Sequence, residues 1–237
     1  NKTTGNRIAA MVPMHTFGHP CKMSRLIDLA DQWKIPIVED AAESIGSRIS
    51  VRHCGTFGKA GVLSFNGNKI ITCGGGGAIV TNDDILADRA KHLTTTAKVN
   101  HRWEYVHDKL GYNYRMPNLN AALACAQLEQ LDGILSDKRE LANAYDMFFS
   151  KTDWCNFLRE PDGCKSNYWL NAVIISDKKQ RDDLLKVTND SGVMTRPIWE
   201  LLSNLEMYKK CQKGDLKNAR WLQDRIVNLP SSVRPNT

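Results

Sequence analysis

Apolar positions recur along the chain at two spacings. The run RIAAMVPM (7–14) has strand length. It is followed by MSRLIDLADQWKI (23–35), where Leu26, Leu29, Ala30 and Trp33 share one helical face and Ser24 is a candidate N-cap. PIVED (36–40) then predicts a short buried strand. This β-α-β order predicts parallel strands joined by a right-handed crossover. GVLSF (61–65) and GAIVT (77–81) are further strands, and Asn82-Asp83 can cap a helix running to about Leu93. Pro117 suits the first position of a helix whose apolar stripe is Leu119, Ala122, Leu123 and Ala126. A second helix, from about Ile134 to Phe149, turns Leu141, Tyr145 and Phe148 inward.

The C-terminal third has a different texture. NYWLNAVII (167–175) reads as a strand, KKQRDDLLKVTND (178–190) as a helix ended by Gly192, and DLKNARWLQDRIVNLP (215–230) as a helix ended by Pro230. Trp199 and Trp221 read as core residues at this spacing. The pattern predicts an α/β chain: a large domain over 1–135 built on a mainly parallel sheet, and a small α+β domain over 136–237.

Composition narrows the function. With 237 residues, 42% hydrophobic and 24% charged, the chain has the profile of a soluble globular protein. No apolar run is long enough to span a bilayer, and no signal peptide is visible. The net charge of +6 is scattered rather than gathered in a stripe, which argues against nucleic acid as a partner and suits a polyanionic small molecule. Seven cysteines lack CxxC spacing, as expected for reduced thiols in a cytoplasmic protein. His15, His19 and Cys21 have loose ligand spacing without a fourth partner, so a turn is expected there and no metal site. Gly74–Gly77 matches neither phosphate-binding glycine fingerprint, and its expected role is pliancy. HRWEYVH (101–107) is expected to pack near a site or a subunit interface.

Three polar groups fall at the carboxyl ends of predicted strands or just beyond, where ligands gather in parallel sheets: Asp40, Ser64 and Lys69. A lysine amine can form a Schiff base with an aldehyde. A carboxylate can keep a pyridine nitrogen protonated, and a hydroxyl can hold a phosphate. Pyridoxal 5'-phosphate needs all three.

VEDAAESIGS (38–47), LSFNGNKIITCGGGGAIVT (63–81) and LGYNYRMPNLNAALACAQLEQLD (110–132) resemble the signature blocks of the DegT-type sugar-nucleotide aminotransferases. The likeness extends to MTRPIWELL (194–202) and NLPSSV (228–233). It implies the fold-type-I pyridoxal phosphate architecture, with Lys69 as the Schiff-base lysine, Asp40 on the ring nitrogen and Ser64 on the phosphate. It implies that Asn113 reaches the cofactor phosphate of a partner subunit in a homodimer. Glu43 stands where many members carry Gln near the ring hydroxyl. SFNGNK and TTTAKVNHRWEYVHDKLGYNYRM (94–116) are similar to the branch that aminates a UDP-linked 4-keto-6-deoxy sugar on the route to legionaminic-acid-like sugars, with glutamate as the expected amino donor. The family pattern has a substantial part before the first strand found here. The expectation is therefore an N-terminally truncated fragment, with an inactive remnant serving as a dimer or scaffold module as the alternative.

Overall fold

The computed structural model describes residues 1–233. The chain divides into two compact units. One comprises Ala9–Leu135 together with Pro161–Asn167; the other comprises Asn1–Ile8, Ser136–Glu160 and the residues from Tyr168 onward.

In the first unit, α1 (Met23–Trp33) is followed by strand β1 (Val38–Asp40). Strands β2 (Ala60–Ser64) and β3 (Gly77–Val80) complete a three-stranded sheet in the order β1-β2-β3. β1 and β2 run parallel, and β3 returns antiparallel to β2. The apolar run 7–14 does not become a strand. It lies alongside β1 through two isolated parallel bridges, Met11 to Ile37 and Met14 to Asp40. Pro13 explains the interruption, because it has no N–H to donate and can only accept, from Asp40 N–H at 2.9 Å.

The core under this sheet joins Met23, Ala30 and Ile37 with Met11, Leu26, Ile27, Ile49 and Phe57. α1 thus buries the face carrying Met23, Leu26, Ile27 and Ala30, while Leu29 and Trp33 are exposed. Ser24 is not its cap: Met23, buried at the first helical position, sets the start, and Lys22 takes the N-cap place without a side-chain bond. α2 (Asp84–Thr94) is capped as its sequence predicts, with Asp83 Oδ1 accepting from Leu86 N–H at 2.9 Å. α3 (Asn118–Glu129) begins one residue after Pro117. Its expected apolar stripe lies outward: Leu119, Ala122, Leu123 and Ala126 are exposed and Ala124 is the buried position. Apolar spacing fixes which residues share a face, not whether that face is covered.

α4 (Leu131–Phe149) carries the chain into the second unit. Phe149, rather than Phe148, is its buried aromatic; Leu141 and Tyr145 are half-buried. Strands β4 (Cys155–Phe157), β5 (Asn171–Ile175) and β6 (Ile226–Leu229) join Arg196–Pro197 in a four-stranded antiparallel sheet. α5 (Lys178–Asp190), capped by Asp177, packs Leu184 and Leu185 against Phe149, Cys155, Val173, Ile175, Val227 and Leu229. Gly192, at φ +77°, follows its C-cap.

The expected helix over 215–230 splits into α6 (Lys217–Gln223) and β6. β6 pairs on both sides and is buried at all four positions, so it lacks the alternation that marks a half-exposed strand. Its neighbouring Ile226 and Val227 favour the pleated form. Trp199 and Trp221 are each about half exposed and not core. Trp199 stacks on Trp169 with ring centroids 6.0 Å apart, and the Arg225 guanidinium lies 4.6 Å from the Trp221 ring centre. No helix among the described residues is long and apolar enough to cross a membrane.

Candidate active site

The parallel pair β1–β2 sets the frame. Asp40, the last residue of β1, lies opposite Val62. Ser64, the last residue of β2, is two positions further along, about 7 Å at strand rise. Both polar groups therefore stand at the carboxyl end of the sheet.

The loop after β2 is held by buried anchors. Phe65, Ile70, Ile71 and Cys73 are all buried. Phe65 N–H donates to Gly76 O at 2.9 Å, and Cys73 N–H donates to Phe65 O at 3.1 Å. Asn120 Nδ2, on α3, donates to Cys73 O. Lys69 closes a turn, its N–H donating to Asn66 O at 3.0 Å. The neighbouring Ile70 and Ile71 point inward, so the loop cannot swing freely, and the Lys69 side chain is only 13% exposed. Its Nζ lies 3.8 Å from Glu43 Oε1.

Glu43 is itself buried. Its Oε2 accepts from Phe17 N–H at 2.8 Å. Burial pushes the Glu43 carboxyl above the usual carboxylate range; the Phe17 N–H and the Lys69 charge offset this in part, and the Asp40 charge adds to it. Asp40 Oδ1 accepts from Ala42 N–H at 3.2 Å, whereas Oδ2 accepts no hydrogen bond among the described residues. Ser64 Oγ accepts from Asn66 N–H at 3.4 Å. Asn113 is exposed and bridged to Thr95, just past the end of α2, and among the described residues no hydrogen bond joins it to these groups.

Behind the site lies a buried pair that periodicity does not reveal. Glu39 and His15 are both fully buried, with His15 Nε2 3.0 Å from Glu39 Oε2. Glu39 also accepts from the N–H groups of Gly55 at 2.8 Å, Gly58 at 2.6 Å and Phe57. His15 Nδ1 accepts from Cys21 N–H at 3.0 Å. The histidine thus ties the turn 16–18 to β1 and to Cys21, and among the described residues there is no group of three or more His, Cys, Asp or Glu that could hold a metal ion. Within that turn Gly18 has φ +88°, and a Cβ there would sit 1.8 Å from Asn167 Oδ1. Gly18→Ala is expected to cost about 2 kcal/mol or more, read as a lowered urea midpoint with unchanged m.

The described groups suit pyridoxal phosphate by the chemistry of the donor set. A shielded primary amine, a carboxylate with an open oxygen and a hydroxyl share one sheet end. A groove of about 950 Å³ lies elsewhere, along β3 and α2, and Lys69, Glu43, Asp40 and Ser64 do not line it.

The model of the DegT/DnrJ/EryC1/StrS aminotransferase family matches residues 1–237. The chain belongs to that family. Among curated members, it is 37% identical over 227 residues to a GDP-perosamine synthase of Escherichia coli O157:H7, covering 95% of this chain and 61% of that protein. It is 32% identical over 207 residues to EpsN of Bacillus subtilis, a putative pyridoxal phosphate-dependent aminotransferase, covering 87% of this chain and 53% of that one. The aminotransferase TlmJ from Streptoalloteichus hindustanus superimposes with a TM-score of 0.91 at 29% identity, covering 98% of this chain and 62% of that one. The chain thus spans about three-fifths or less of the length of these family members. Its fold is that of the family's solved aminotransferases.

Proposed function

We propose that this chain carries the catalytic lysine of a pyridoxal phosphate-dependent aminotransferase that aminates a nucleotide-linked 4-keto-6-deoxy sugar in the cytoplasm. The observation that carries this reading is the shielded Lys69 amine, 3.8 Å from Glu43, beyond a sheet end that also bears Asp40 and Ser64. We assign cofactor binding to the unit Ala9–Leu135 with Pro161–Asn167, and the other unit to the small domain.

When bound, pyridoxal phosphate supplies an electron sink for charge developing on the donor's α-carbon. Lys69 anchors the cofactor and moves a proton off and onto that carbon. Asp40, through its open oxygen, would keep the ring nitrogen protonated, Ser64 would hold the phosphate, and Glu43 would lie beside the ring hydroxyl. Asp40→Asn is expected to retain cofactor binding and lose most turnover, by about a hundredfold or more in kcat. Equal kcat in this variant would remove Asp40 from the mechanism.

Asn113 acts in the reading through a homodimer, reaching the phosphate of the partner's site. The exposed apolar residues Leu110, Tyr114, Leu119 and Leu123, next to it in sequence, give such a dimer surface to cover. The sugar carrier follows from SFNGNK and the 94–116 segment, which resemble the UDP-sugar branch on the legionaminic-acid route. A GDP-linked sugar is the second reading, favoured by the 37% identity to a GDP-perosamine synthase. Parallel assays with glutamate and UDP- or GDP-linked 4-keto-6-deoxy sugars, following 2-oxoglutarate release, decide between them. Release with neither would favour a module that serves only as a dimer or scaffold surface.

A further inference from the structure

We propose that Asn167 is a positioning residue that aims the Glu43 carboxylate at Lys69. Residues 41–47 form irregular turns in which Ala41 O and Ser44 O accept from the backbone N–H groups of Ser44 and Ser47. Asn167, 124 residues away from Glu43 in sequence and 1% exposed, supplies donors for Glu43 O and Ile45 O. Its Nδ2 donates to Glu43 O at 2.8 Å and to Ile45 O at 2.9 Å, fixing the backbone on both sides of Ser44. Its own N–H donates to Ser47 Oγ at 2.9 Å, and that hydroxyl donates onward to Gly18 O at 2.7 Å. Ser166 Oγ donates to the same carbonyl at 3.0 Å.

The other side of this loop is Phe17, buried, with φ +60°. A bulky residue in the left-handed region costs energy and persists only where its surroundings fix it. Here the strained residue presents its N–H to Glu43 Oε2 at 2.8 Å. Gly18, next in sequence, has Asn167 Oδ1 where a Cβ would sit. The network therefore closes on itself: Asn167 holds the Glu43 backbone and braces Gly18, and Phe17 holds one carboxylate oxygen. The other oxygen is left 3.8 Å from Lys69 Nζ.

The placement stands without any cofactor; only its catalytic consequence rests on the function proposed above. The test uses cofactor-free protein and trace acetic anhydride at neutral pH, with Lys69 acetylation read by peptide mass spectrometry against the exposed Lys151. Glu43→Gln removes the nearby anion and is expected to speed Lys69 labelling about threefold to tenfold. Asn167→Ala is expected to change the rate in the same direction. In the double variant it should add nothing to Glu43→Gln, because it acts through that carboxylate. Additive effects, or an unchanged rate in Asn167→Ala, would overturn the proposal even if the melting temperature falls. Should Asn167→Ala fail to fold, Ser47→Ala interrupts the same network and carries the same cycle. If the cycle holds while pyridoxal phosphate is not captured at Lys69, the functional reading fails and the positioning role stands.

Discussion

Replacing Lys69 with alanine is expected to abolish transamination, lowering kcat by at least about a thousandfold, while circular dichroism and the melting temperature stay close to wild type. The size of the effect follows from the proposed double use of one atom. The Nζ both anchors the cofactor and carries the proton at the substrate α-carbon, and Glu43 lies 3.8 Å away. The next amines in sequence, Lys59 and Lys91, belong to other surroundings: Lys59 is exposed and pairs with Asp83 at 3.2 Å, and Lys91 lies on α2. The expected neutrality toward folding comes from the site's construction. The backbone of the Lys69 loop is held by the buried Phe65, Ile71 and Cys73 around it. A variant that folds and keeps more than a tenth of the turnover would show that another group does the chemistry.

Glu39→Ala is expected to have the largest effect on stability, about 3 to 5 kcal/mol. The substitution leaves the N–H groups of Gly55, Phe57 and Gly58 and the ring of His15 buried without their shared acceptor. The loss is expected as a lowered urea midpoint, and as weakened cofactor binding, because β1 carries Glu39 and Asp40 as neighbours. The same carboxylate makes the fold acid-sensitive. Burial alone would raise its pKa, but the hydrogen bonds from His15 and from the Gly58 and Gly55 amides outweigh it and hold it below 4.5. The unfolded chain then binds a proton more readily than the folded one. This share of stability is complete above about pH 4.5 and is lost as pH falls through the folded-state value. Urea titrations at pH 7 and pH 4 should show a smaller drop for Glu39→Gln than for wild type.

Chemical groups were more legible in the sequence than their supports. Lys69, Asp40 and Ser64 fall where strand ends and a glycine-rich loop can be read locally, and Asp83 announces its helix as a cap. Glu39 was hidden between Val38 and Asp40, since a three-residue strand gives no period and its partner His15 is 24 positions away. Asn167 lies still further from the carbonyls it holds. β6 was obscured because Leu222, Ile226 and Leu229 keep helical spacing across the polar Gln223, Asp224 and Arg225, and only pairing on both sides decides its form. The outward stripe of α3 shows a related limit: periodicity defined the face of Leu119 and Leu123, and burial did not follow.

The most direct test is chemical capture at the lysine. Purified chain is mixed with pyridoxal phosphate, reduced with borohydride, digested and sequenced by mass spectrometry. The account predicts a phosphopyridoxyl group on the peptide containing Lys69, absent from Lys69→Ala. Modification spread over exposed lysines, with Lys69 unmodified in folded protein, would contradict it.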